Sequence, residues 1–519
     1  MPNSDVDIKP VAFETETIDW SASGLKLDPH GFPLHPQPSS DPRGIQIKSD
    51  QLTATRTDCP DPLNWNPWLK LWVLFQVSML SMLSPFTQAF INSAYGELSK
   101  AMGITIQEAS YSLTVAIITS GVFPLIWSPL SNIYGRRPIF VFVSILGIIG
   151  HAASGAAKTW GGILVARAFM GIGTSAGSGI GFAVVADMYF MHERGRYTGY
   201  YVLFLQNGAH LAALIGGFVA RAWGWRWCFW FPTIIWGVNW LVNVFCLPET
   251  LYYRRSNTTS ATGEEDETKP EPWLRLFTFN SSSVCRRKFV LADLLHVVKM
   301  ARYPSVLFPT IYYSISFGVG TVLYAVTGAA AFGSIYHFDT AQIGMIIGLP
   351  TLIGSVIGEI CAGPVSDWIL YIHTKRNHGV STPEARLQAI WPGFILMPAG
   401  VIIEGVCLQY RTHWIGPAMG IAVGLFGLQI VSTNLFAYTM DCYKPQSAEL
   451  STLLNFGRQT FSFTLGFYML PFAHQTSYGV AWAVMALGNM ALFSGVIALM
   501  WKGKEWREKL GAPNFDQSL

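Results

Sequence analysis

Four ionisable side chains stand inside runs of residues that are otherwise apolar: Arg167, Glu359, Glu404 and Arg458. His210 occupies a further such run. A charge near the middle of an apolar membrane segment costs about 2.5–3.5 kcal/mol on insertion scales, so each of these residues needs a chemical reason to be there. For a carboxyl group the available chemistry is reversible protonation, because desolvation raises its proton affinity and a nearby cation or open water lowers it. Glu359 precedes Asp367 by about two helical turns, which sets it off the midplane toward the cytoplasmic side. It is the leading proton-coupling candidate, with a packing or gating ion pair as the alternative, and Glu404 ranks below it. Arg167 is either a structural brace or a supporting charge in ion coupling, since its guanidinium donors demand carboxylates, carbonyls or water. Arg458 stands in Asn455-Phe-Gly-Arg-Gln459 among amides and hydroxyls. There it either pairs with a carboxylate or holds an anionic part of a bound molecule. His210, which can stay neutral, completes the proton-coupling candidates.

These groups can be positioned only by helices that cross a bilayer. The 519 residues are 51% hydrophobic and 13% charged, against about 25% charged in soluble domains. A crossing helix needs about 20 apolar residues, and about twelve stretches satisfy this. One set lies within residues 69–247 and the other within 304–501, so the fold expected is an all-α polytopic membrane protein of two pseudo-symmetric six-helix bundles. Residues 1–68 form a polar N-terminal tail too poor in apolar residues to fold, 248–303 a cytoplasmic central loop, and 502–519 a cytoplasmic C-terminal tail. The net charge of +3 is too small and too dispersed to suggest a nucleic-acid partner. The seven cysteines are scattered without metal-ligand spacing, and no phosphate loop, HExxH pair or convincing serine–base pair is present. Neither an enzyme nor a cofactor is expected.

A short basic turn, Ser128-Pro-Leu-Ser-Asn-Ile-Tyr-Gly-Arg-Arg-Pro138, joins two apolar runs, and Gly363-Pro-Val-Ser-Asp367 echoes it in the second half. Lys and Arg collect on the cytoplasmic side of membrane proteins. The bias of Arg136, Arg137, Lys375, Arg376, Lys502 and Lys504 therefore places both termini in the cytosol. Polar and aromatic side chains inside the runs avoid lipid. Gln76, Gln88, Gln206, Asn207, Tyr312, Tyr313, Asn434, Tyr438, Asn455 and Gln459 are the candidates to line a cavity for an amphipathic organic molecule. Each has interhelical hydrogen bonding as its alternative.

The Gly135-Arg136-Arg137 turn and Arg167-Ala-Phe-Met-Gly-Ile-Gly173 resemble the major facilitator superfamily, as do Asn64-Trp-Asn-Pro-Trp68, Asp187-Met-Tyr189, Gly358-Glu359 and Asp441-Cys-Tyr443. The match is closest to its fungal twelve-span drug:proton antiporter branch. The resemblance implies alternating access between two bundles, with a cytoplasmic gate at Asn132, Gly135, Arg136, Arg137, Asp187, Asp367 and Asp441. It further implies export of a small amphipathic compound against a proton gradient as energy source, and a place in the plasma membrane, with the vacuolar membrane as alternative. The chain is expected to act as a monomer in the lipid bilayer. Two departures stand out. Asn132 replaces the family's usual acid, and Ala212-Ala213 replace the Gly-Pro of the antiporter signature, so the fifth helix is expected to be straighter. An importer or facilitator of a nutrient or metabolite is the alternative function, and a sensor that no longer transports the second alternative.

Overall fold

A computed structural model describes residues 61–251, 292–376, 383–443 and 446–511, and leaves aside the side chains of 191–196, 292–294, 374 and 447–448. Most of the expected tails and central loop lies outside the described residues. The first half comprises α1 (Pro67–Ala89), α2 (Tyr95–Met102), α3 (Ile106–Val122), α4 (Pro124–Tyr134), α5 (Arg136–Ala156), α6 (Trp160–Met188), α7 (Met191–Trp223) and α8 (Trp227–Cys246). The second comprises α9 (Ala292–Lys299), α10 (Pro304–Phe317), α11 (Leu323–Ile335), α12 (Thr340–Arg376), α13 (Trp391–Gln409), α14 (Ile415–Cys442), α15 (Ser447–Gln475) and α16 (Tyr478–Leu510).

Local chemistry starts and breaks these helices. Asn66 accepts a hydrogen bond from the Trp68 N–H at 3.0 Å while Pro67 fills the first helical position, where a missing N–H costs nothing. A capping box between Thr105 and Glu108 opens α3, satisfying two otherwise orphaned donors. Pro124 restarts the chain as α4, and α3 and α4 together make one span. A π turn at Gly318–Val322 interrupts the span built from α10 and α11. In contrast α7 runs without interruption through Ala212 and Ala213, because nothing there removes a backbone donor.

Among the described residues, eleven helical stretches are long and apolar enough to cross a membrane. The twelfth, α15, is 29 residues long but carries Asn455, Arg458 and Gln459, and its polarity follows from its central position. It packs against α3, α4 and α6 of the first half and α10 of its own. Peripheral helices show the opposite pattern: α8 turns Ile234, Val238, Leu241 and Phe245 outward, an apolar stripe at helical spacing suited to lipid. The strongest pairings within the halves, α5 with α6 and α13 with α14, are glycine contacts. A Cβ on Gly173 would strike the backbone of Gly147, and one on Gly400 the backbone of Gly424, so small residues set the close approach.

Two boundaries differ from those expected. The helix α16 continues past Trp501 to Leu510. Within 248–303 the chain forms α9, whose Val297, with the following Met300, packs against Leu125 of α4 and Leu450 and Leu453 of α15. Buried apolar contacts with both halves supply the reason this stretch is helical rather than loop.

Candidate functional site

At the end of the bundle that carries Gly135, a positive-φ residue (φ 102°) turns the chain from α4 into α5, a conformation that favours glycine. The turn brings Arg136 onto Asp187 at the end of α6 (Nε to Oδ2 3.2 Å) and Ser131 (2.7 Å), and Arg136 Nη1 also donates to Asn132 Oδ1. Arg137 Nη2 donates to the Val244 carbonyl at 2.6 Å. Glu249, just beyond α8, closes the cluster by accepting from the backbone N–H groups of Arg136 (2.9 Å), Arg137 (3.1 Å), Thr250 (3.0 Å) and Leu251 (2.9 Å). A helix N-terminus offers unpaired donors and a positive dipole end, which is what a carboxylate satisfies. Burial pushes the Glu249 carboxyl above its ordinary value, and the N–H groups with Arg136 pull it back in part.

The second half repeats the arrangement with different residues. Arg386 donates to Asp441 at the end of α14 (2.7 Å), Asp367 (2.8 Å) and Ser366 (3.2 Å). Arg507 of α16 reaches Glu384 with Nε and Nη2, both at 2.9 Å.

The halves meet along two seams. In one, α7 packs on α12: Ser355 donates to Asn207 at 2.9 Å, and a Cβ on Gly344 would lie 2.6 Å from the Ala213 carbonyl. In the other, α3 packs on α15: Gln459 donates to Ser120 at 3.0 Å and Gln107 to the Gly466 carbonyl. At the end remote from Gly135, Arg221 pairs with Asp339 (3.1 Å) and Thr340 donates to Glu97 (2.7 Å), so the two halves also meet at that end.

Between the seams lies a cavity of about 10 Å³, room for about one water molecule. It is lined by Ser178 and Phe182 of α6, Val202, Leu205 and Gln206 of α7, Tyr313 of α10, Phe436 of α14, and Ser451, Asn455 and Arg458 of α15. The Phe182 and Phe436 rings stack across the halves with centroids 5.8 Å apart. Arg458 donates to Asn455 (3.0 Å) and to the Tyr313 hydroxyl (3.4 Å), and lies over the Phe317 ring at 4.6 Å. Polar groups from both halves thus converge on a space that grows only if the bundles move apart.

A sequence profile of the Major Facilitator Superfamily matches residues 77–467. The chain belongs to that superfamily. It is a multi-pass membrane transporter and not an enzyme. The MFS transporter cpaT of Aspergillus oryzae is 30% identical over 447 residues, covering 84% of this chain and 87% of the relative. The efflux pump vrtL of Penicillium aethiopicum is 27% identical, covering 84% and 86%. Among solved structures, a partially occluded inward-open form of the E. coli xylose transporter XylE superposes with a TM-score of 0.59 at 12% identity, covering 84% of this chain and 98% of that one; at that identity the likeness concerns the fold alone.

Within this facilitator fold, three of the expected cavity residues, Gln206, Tyr313 and Asn455, come together with Arg458, one of the proton-coupling candidates, while Asn207 and Gln459 sit on the seams. Tyr312 and Tyr438 do not line the cavity. They pack with Phe493 and Leu499 inside the second bundle, because Tyr312 faces away from its neighbour Tyr313 on α10. Gln76 and Gln88 are buried on α1, the latter donating to Ser84 of its own helix at 3.4 Å. Asn434 donates to the Ile430 carbonyl within α14. Glu359 accepts from Gln429 and from Thr433 (2.8 Å), so it bridges α12 to α14 beside the cavity, within electrostatic reach of Tyr313. Arg167 braces α6 to α1 and α8, donating to the Thr87 carbonyl (3.3 Å) beneath the Phe229 ring (4.8 Å). His210 is buried on α7, and Glu404 accepts from Trp482 at 2.9 Å between α13 and α16.

Sequence reasoning missed Glu249, Arg386, Glu384, Arg507 and the Phe182–Phe436 pair. One signal was available: Phe182-Ala-Val-Val-Ala-Asp187 recurs as Phe436-Ala-Tyr-Thr-Met-Asp441, so each half presents an aromatic ring and an arginine-paired acid at the same spacing. For Arg386 no repeated pattern in the sequence pointed the way.

Proposed function

We propose that this chain exports a small amphipathic organic compound by alternating access, with a proton as counter-substrate taken from the gradient. The observation that carries the reading is the cavity between the halves, polar at Gln206, Asn455 and Arg458 and aromatic at Phe182, Tyr313 and Phe436. The α3–α15 and α7–α12 seams flank it, and the stacked Phe182–Phe436 pair is part of its wall. Opening toward the Gly135 end unstacks Phe182 from Phe436, and opening the other way separates the seams. The relative named an efflux pump supports the direction. The basic residues at the Gly135 end support a cytosolic placement of that end and of both termini. Glu359 is the proton carrier of this proposal, since Gln429 and Thr433 hold it beside the cavity, where an opening admits water. The chain works as a monomer in the plasma membrane. The uninterrupted α7 favours one second reading, an importer or facilitator on the same fold.

Proteoliposomes carrying the natural protein or Glu359→Gln, offered a panel of amphipathic metabolites and cationic drugs, test both readings. Substrate-dependent proton flux that disappears in the variant while counterflow exchange persists is the expected result. Transport indifferent to the pH gradient in both proteins makes the chain a facilitator.

A further inference from the structure

Arg458 is 7% exposed, lines the cavity, and has no carboxylate partner among the described residues. Its Nε is committed to Asn455 and its Nη1 to the Tyr313 hydroxyl, both neutral acceptors, and Nη2 has no protein partner among the described residues. Three arginines at the end of the bundle are neutralised: Arg136 by Asp187 at 3.2 Å, Arg386 by Asp441 at 2.7 Å and Arg507 by Glu384 at 2.8 Å. Glu359 shares the neighbourhood of Tyr313, yet its carboxylate is engaged by Gln429 and Thr433 on α14 rather than by Arg458. Arg167 also lacks a carboxylate, but it is fully buried away from the cavity against Phe229 and the Thr87 carbonyl, the setting of a brace. A desolvated guanidinium without a counter-ion is costly, and a fork of free N–H donors is shaped for a planar oxyanion.

We propose that the transported molecule is an organic anion: a delocalised oxyanion such as a carboxylate binds Arg458, and its planar apolar body lies against Phe182 and Phe436. The proposal rests on the export reading above and narrows its substrate class. It also fixes an electrical sign, since an anion leaving a cell of negative interior moves with the membrane potential.

The test uses the full chain in proteoliposomes and three probes of one shape: 1-naphthylacetate, the neutral 1-naphthylacetamide, and the cation 1-naphthylmethylammonium. The anion is expected to bind about 10- to 100-fold more tightly than the amide, the difference a charge-assisted hydrogen bond supplies, and the cation most weakly. Arg458→Gln lowers anion binding to the level of the amide, and Arg458→Lys retains part of the preference. Equal binding of anion and amide, a preference for the cation, or uniform loss of all probes in Arg458→Gln overturns the proposal. If the amide or cation is carried and the anion is not, export of amphipathic compounds stands and the anion proposal falls; if no probe binds or moves, both fall. Should Arg458→Gln fail to fold, the ranking in the natural protein together with Arg458→Lys decides the matter.

Discussion

The two charged clusters of the halves solve one geometric problem with opposite charges. Each half must fix the start of a helix, α5 or the 3-10 turn that leads into α13, against the end of another, α6 or α14, using one arginine and one aspartate. In the first half the arginine faces Asp187 and the amide of Asn132, and Glu249 arrives from beyond α8 to sit on the backbone donors of α5. In the second half Arg386 faces two carboxylates. The residue that arrives from the last helix is a cation, Arg507, and it meets Glu384 in the turn itself. A helix start without an acid attracts one, and a start that owns an acid attracts a base. The difference also concerns burial: Glu249 is 3% exposed, whereas the Asp367 side chain is 71% exposed. Glu249 is therefore shielded from water, whereas Asp367 shares its charge with it.

The largest effect is expected at Glu249. Replacing it with Ala strands several buried N–H donors and is expected to cost about 3 kcal/mol or more, read as a lowered melting temperature of the full chain in detergent micelles. Because burial holds this carboxyl above its ordinary value, the folded protein keeps the proton more tightly than the unfolded chain does. Stability should therefore decline as pH rises through the window just above the ordinary carboxylate range, and Glu249→Gln should flatten that decline. A pH-independent difference between the two proteins would remove the electrostatic part of the contrast.

A middle-sized effect separates the two aspartates. Asp187→Asn is expected to cost about 1.5–3 kcal/mol, the range for a hydrogen bond to a charged group, because Arg136 is buried and, among the described residues, its guanidinium forms an ion pair with Asp187 alone. Asp441→Asn is expected to cost about half as much, since Arg386 keeps Asp367. Equal losses in parallel melts would show that the clusters are energetically equivalent despite their different charges.

The smallest effects belong to the pair that distinguishes the halves in sequence. Asp367→Asn is expected to change stability by about 0.2–1 kcal/mol, as for exposed ion pairs, and Asn132→Asp to raise it by no more than that. A large gain from Asn132→Asp would mean that the first cluster is starved of charge, and that Glu249 does not stand in for the missing acid.

The bilayer crossings were legible in the sequence because lipid imposes one rule on every residue that faces it, and hydropathy records that rule. The basic turn at Gly135 was legible for a related reason, since Lys and Arg collect at the cytoplasmic ends of such spans, whereas Arg136 and Asp187 were marked by the family resemblance. What tertiary structure alone decided is which face of each helix meets the cavity. Successive helical residues point about 100° apart, so Tyr313 reaches the cavity while Tyr312 enters the core of its bundle, and Gln206 lines the cavity while Asn207 joins a seam. Both members of each pair are chemically alike, and every buried face looks equally apolar or equally polar in a linear chain. The rotation of each helix is set by glycine contacts such as Gly173 on Gly147, and by carboxylates such as Glu249 that come from far along the chain.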